Sequence, residues 1–202
     1  MNCAQRWRNA GPEGRKKMFG LFEESGIFIG SCRHRMVIAA CDMIKSGELY
    51  VAVLIQFIFL TFKSSAKYPL AVINRFIHWF GENIGCAYDI GCAFSTTLER
   101  TTLRELVKTN GFQLMVGAFH GHAHNRLCQL QWHPTYMPGT GHSEGEGCEH
   151  VFSSSNDLAR SARHASWFHR HQMIKEHFHF WNEDKYANLS KLCIIFDTVL
   201  IS

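Results

Sequence analysis

Two short apolar segments constrain this chain most, because each is set off by glycine and runs into residues able to do chemistry. The first is Ile84-Gly85-Cys86-Ala87-Tyr88-Asp89-Ile90-Gly91-Cys92. The second runs from Phe112 through Val116 and Gly117 into His120, His122 and His124. Both read as short strands. Between them, residues 96–109 are polar and end at Asn110-Gly111, which predicts a helix and its stop. Upstream, the apolar runs Ile27–Gly30 and Met36–Cys41 flank Cys32-Arg33-His34-Arg35, a pattern that predicts a β-hairpin. Next, AKYPLAVINRFIHWFGENIG predicts a helix. Pro69 falls in its first turn, and Leu70, Ile73, Phe76, Ile77 and Phe80 recur at helical spacing.

A further helix is expected over 13–23, a loop over 133–148 and helix through most of 149–190. The order is strand, strand, helix, strand, helix, strand, loop, helix. It fits an α/β chain with an RNase H-like mixed sheet, flanking helices and its first strand missing. The same order also fits other mixed α/β domains.

The length of 202 residues suffices for one domain with a real core, and a net charge of +4 permits a nucleic-acid partner without requiring one. Eight cysteines show no CxxC pair, and the start, MNCAQRWRNAGPEGRKK, has no apolar leader stretch. The expectation is a reducing compartment, with thiols buried or metal-bound, and a chain that is not secreted. Residues 49–62, LYVAVLIQFIFLTF, imitate a membrane span but fall short of the roughly 20 apolar residues one needs, so no membrane partner is expected.

Four features carry candidate chemistry. Asp89 follows a strand, where α/β folds present ligand-binding groups, although aspartate also caps helices there. Glu146 and Glu149 lie three residues apart at a helix start. They suit either a hard cation such as Mg²⁺ or Mn²⁺ or the positive end of the helix dipole. On a strand, His120, His122 and His124 would share one side and, with Cys128 or Cys148, could hold zinc. A hydrogen-bonded histidine cluster is the plainer alternative. Cys32 and His34 form a second soft-ligand pair. Finally, Arg160, Arg163, His164, Trp167, His169, Arg170, His171 and Lys175 on one helix would offer DNA a basic, aromatic face, or simply a solvated one.

Read together, SGIFIGSCRH, CDMIKSGEL, AKYPLAVI, YDIGCAF, GAFHGHAHNRLCQLQWHPTYMPG, GEGCEHVFSSSNDLA and ASWFHRHQMIKEHF resemble the successive blocks of Kyakuja-Dileera-Zisupton (KDZ) transposases. They keep that family's order over most of residues 1–190. The resemblance implies a partial RNase H-like catalytic domain over 1–190 that transfers phosphoryl groups on transposon-end DNA with two Mg²⁺ or Mn²⁺ ions. Asp89 then matches the second acid of the triad, and Glu149 the third, with Glu146 as the alternative. The first acid is expected upstream of the block that begins here, and Asp42 is the only stand-in, so the expectation is a fragment inactive as this chain. The alternative is a non-catalytic DNA-binding or zinc-stabilised remnant. A homo-oligomer and a nuclear or cytoplasmic location accompany the resemblance. Residues 50–65 interrupt the family pattern as an aberrant insert, expected to be translated intron, and 191–202 form a divergent tail.

Overall fold

The structure, a computed structural model, describes residues 24–44, 66–141 and 143–201. The helix expected at 13–23 and the apolar insert of 50–65 lie outside the described residues.

Strands β1 (Glu24–Ser31) and β2 (Val37–Ile44) form a two-stranded sheet, as the paired apolar runs predict. Only five residues join them, too few for a parallel crossover. The turn closes on itself: Cys32 N–H donates to Met36 O at 2.9 Å, and Arg35 N–H donates to Cys32 O at 2.9 Å.

Among the described residues the chain divides into two compact units. One takes in the hairpin base, up to Gly30 and from Ala39, and the chain on to Glu146. The other takes Ser31–Ile38 and the chain from Gly147.

In the first unit, helix α1 (Lys67–Phe80) has Pro69 in its first turn, where a missing N–H costs nothing. Leu70, Ile73, Phe76 and Ile77 are buried, as their spacing predicts. Phe80 is the exception: it ends the helix 54% exposed and meets Phe76 edge-on at 5.7 Å between ring centres. Tyr68 ties α1 to the hairpin base by accepting the Ile44 N–H at 2.6 Å and stacking on Phe28.

Strand β3 (Gly85–Ala87) pairs in parallel with β4 (Gln113–Met115), with Cys86 opposite Leu114. A crossover must join parallel neighbours. Here it consists of α2 (Gly91–Leu98) and α3 (Arg104–Thr109). The single polar helix expected over 96–109 is therefore two helices. Thr101 breaks it by donating its hydroxyl to Leu98 O at 2.8 Å and accepting the Leu103 N–H at 3.3 Å. Tyr88 extends the ladder through N–H to Met115 O at 2.9 Å, and Tyr88, Ile29, Ile73 and Val116 are among the most deeply buried side chains. After β4 come α4 (Ala118–Gly121), α5 (Arg126–Trp132) and a 3-10 turn, Pro134–Tyr136.

The architecture is mixed α/β, as expected. Among the described residues, though, the strands form two separate two-stranded sheets rather than one mixed sheet.

In the second unit, the helical stretch expected over 149–190 resolves into α6 (Gly147–Ser154), α7 (Asn156–Ala162) and α8 (Trp167–Ile201), so residues 191–201 continue α8. Asn182 on α8 clasps the hairpin: its Oδ1 accepts the Val37 N–H and its Nδ2 donates to Val37 O, both at 2.8 Å. Trp181 Nε1 donates to Arg35 O at 2.7 Å. Among the described residues no helix is long and apolar enough to cross a membrane.

Candidate catalytic and metal centre

Asp89 is placed by the end of β3. Tyr88 is pinned to β4 through its N–H, and Gly91 N–H donates back to Tyr88 O at 2.8 Å, which turns the chain at Asp89 into α2. Gly91 is required there, since a β-carbon would stand 2.6 Å from the Met115 carbonyl oxygen. Asp89 is 5% exposed.

The neighbour of Asp89 is His120. Its Nε2 lies 3.6 Å from Asp89 Oδ2, within ion-pair range, and its Nδ1 lies 2.9 Å from Glu146 Oε2. Glu146, 6% exposed, also accepts two main-chain N–H groups through Oε1, from Phe119 at 2.9 Å and from His120 at 3.3 Å. Both Glu146 oxygens are thus committed within this unit. Burial pushes the Glu146 carboxyl up. The His120 ring and the two main-chain donors outweigh that and hold it below the ordinary carboxylate range. Gly117 makes the approach possible, because a β-carbon there would overlap Glu146 Oε1.

This hydrogen bonding also explains why the second apolar segment does not run on as a strand. Glu146 gathers the N–H groups of residues 119 and 120, as a cap does, and the chain coils into α4. The three histidines consequently do not share one side. His120 faces the carboxylates. His122 is exposed beside a cleft of about 510 Å³ that also involves Arg126, His133 and Tyr136. His124 turns inward.

His124 is 4% exposed and meets two thiols. Its Nδ1 lies 3.5 Å from Cys92 Sγ and 3.3 Å from Cys128 Sγ. Burial lowers the affinity of this imidazole for a proton, against a smaller opposing pull from the Asp89 main chain, so the ring is held towards its neutral, ligand-competent form. Among the described residues no hydrogen-bond partner stands at bonding distance from His124 Nε2. The surroundings of the cluster are rigid. Asn125 caps α5 by accepting the Cys128 N–H at 2.9 Å, and Gln129 Nε2 donates to His124 O at 3.0 Å.

Of the residues expected to bind zinc, the structure brings His124 and Cys128 together and sends His120 and His122 elsewhere. Cys148 instead meets Ser31 Oγ at 3.2 Å in the second unit. Cys92 was not foreseen as a partner. Its only signal in sequence is its place in the first turn of a helix that starts just past Asp89. Among the described residues, Cys32 and His34 join no third metal-ligating side chain.

Residues 1–182 match the family described as Kyakuja-Dileera-Zisupton transposase. The chain belongs to that family. No curated protein and no solved structure matches it. In this KDZ transposase chain the second unit carries Glu149 and the basic residues expected to meet DNA. Glu149 lies half-buried in the first turn of α6. Asp42 stands in β2, in the first unit.

The basic and aromatic residues do not occupy one helix as expected. Arg160 is on α7, Arg163 follows it, and Trp167, Arg170 and Lys175 are on α8. The break comes at Ser166, whose Oγ takes the place of a helix cap towards the His169 N–H at 3.5 Å and meets the His169 ring at 2.8 Å. Trp167 is 66% exposed, with its ring edge-on to His171 at 4.3 Å, and so lies outside the core.

Proposed function

We propose that this chain is the RNase H-like part of a transposase whose chemistry is phosphoryl transfer on transposon-end DNA. The observation that carries the proposal is the buried Asp89 carboxylate at the end of a strand in a parallel pair, in a chain of the KDZ family. Carboxylate oxygens suit Mg²⁺ or Mn²⁺. Asp89 would hold such an ion, and Glu149 is the further ligand by family resemblance. When bound, a pair of such ions activates the attacking oxygen and stabilises the leaving one. His120, fixed by Glu146, orients the Asp89 carboxylate. Glu146 serves as that support and not as a metal ligand, since its oxygens already accept three hydrogen bonds.

DNA would be held by Arg160, Arg163, Arg170 and Lys175, with Trp167 available to stack on an unpaired base. The exposure of Trp167 and Arg160 supports this assignment. The deciding experiment is cleavage of a transposon-end duplex in Mg²⁺ or Mn²⁺ by the wild type and by Asp89→Asn and Glu149→Gln. Activity lost in both variants supports the proposal, and equal nicking by all three refutes it. DNA binding without cleavage by any of them would favour a non-catalytic DNA-binding role.

A further inference from the structure

The geometry points to a zinc site formed by Cys92, His124 and Cys128, which clamps the first turn of α2 to the start of α5. The inference stands apart from the phosphoryl-transfer proposal, since it needs neither DNA nor a hard cation.

The three ligand atoms all lie within 4.8 Å of one another. A tetrahedral zinc ion with Zn–S of about 2.3 Å and Zn–N of about 2.0–2.1 Å sets neighbouring sulfur and nitrogen about 3.6 Å apart. The two nitrogen–sulfur separations here, 3.5 and 3.3 Å, are close to that edge length. Along these two edges the fit is within a few tenths of an ångström, and the sulfur–sulfur edge lies within 4.8 Å. Nδ1 has one lone pair and can serve one thiol at a time, whereas an ion is served by all three groups at once.

Donor chemistry selects the metal. Two soft sulfurs and an imidazole favour zinc over magnesium, manganese or calcium. Binding converts both thiols to thiolates, and their two protons pass to solvent. No oxidant or reductant is involved. Three protein ligands leave a fourth position, which water fills. The ligands come from segments far apart in sequence, so the ion acts as a cross-link. Because Cys92 lies three residues beyond Asp89, that link also fixes the turn on which Asp89 is carried.

The test uses the full chain, purified from zinc-supplemented cells under reducing conditions without chelators. Elemental analysis should give one zinc per chain, and X-ray absorption should show two sulfurs and at least one nitrogen around it. Replacement by Co²⁺ should produce a thiolate-to-metal charge-transfer band. Cys92→Ser, Cys128→Ser and His124→Ala should each lose the zinc, whereas Cys86→Ser should keep it. If the first three variants fail to fold, the absorption spectrum of the wild type still decides. A shell of oxygen and nitrogen alone would overturn the assignment. So would folded wild type without zinc, zinc retained in Cys92→Ser and Cys128→Ser, or a Cys92–Cys128 disulfide in the reduced protein.

Discussion

His120 Nδ1 stands 2.9 Å from Glu146 Oε2, while the opposite nitrogen of the same ring faces Asp89 Oδ2 at 3.6 Å. One imidazole thus joins two buried carboxylates that are 57 residues apart in the chain (146 − 89). A second carboxylate behind a histidine fixes the ring's orientation and the position of its protons. On the function proposed above, the direction of support runs from Glu146 through His120 to Asp89.

Glu146→Gln should lower stability by about 1–3 kcal/mol, the usual cost of losing hydrogen bonds to a charged acceptor. The amide keeps one acceptor oxygen but turns its NH₂ towards a donor. Urea unfolding of wild type and variant measures the difference, and an unchanged midpoint would refute the support role.

The advantage of wild type over Glu146→Gln should also depend on pH. The folded carboxyl titrates below its ordinary value. The stabilisation is therefore fully present above the unfolded glutamate value, about 4.3, and is lost as pH falls through the lower folded value. His120 and Asp89 face the same group, so Glu146→Gln in an Asp89→Asn background is the control. A stability gap that widens on acidification would contradict this assignment.

Gly91→Ala should destabilise the first unit by about 1–3 kcal/mol, the range for overpacking a tight contact. The added methyl would meet the Met115 carbonyl at 2.6 Å and force α2 away from β4. Gly26→Ala is the comparison, because its nearest neighbour, Met43 Sδ, would be an ordinary 3.5 Å away. Thermal unfolding should separate the two clearly.

Neutralising Arg163 and Arg170 should flatten the salt dependence of DNA binding. Each lost phosphate contact should reduce the slope of log affinity against log salt by about 1. Titrations of labelled duplex at several salt concentrations give the slope directly, and an unchanged slope would place the DNA contact elsewhere.

Where the sequence speaks through local pattern, the structure agrees. Paired apolar runs gave the hairpin, and Pro69 with Leu70, Ile73, Phe76 and Ile77 gave α1, because short-range periodicity and a turn residue fully specify both. The failures share one cause, which is distance along the chain. Residues 118–121 coil instead of extending because Glu146, more than twenty residues downstream, takes up their N–H groups. Cys92 finds His124, 32 positions along the chain, beyond the rest of the crossover and β4. The break at Thr101 was marked locally, by a threonine able to bond its own backbone, but a polar stretch does not reveal which residue will do so. Among the candidate residues, the position of Asp89 just past β3 was legible because the end of a strand is a local feature. The separate roles of Glu146 and His120 depend on contacts that no spacing encodes.

The clasp by Asn182 has a consequence for the behaviour of the protein in solution. An amide side chain that both accepts from and donates to Val37 does for that residue what a neighbouring strand would do. A bare strand margin invites a second molecule to add its own backbone, the first step of swapping or fibre growth. At Val37 both main-chain groups are already engaged by Asn182 of α8, so at this position the strand margin is satisfied from within the chain.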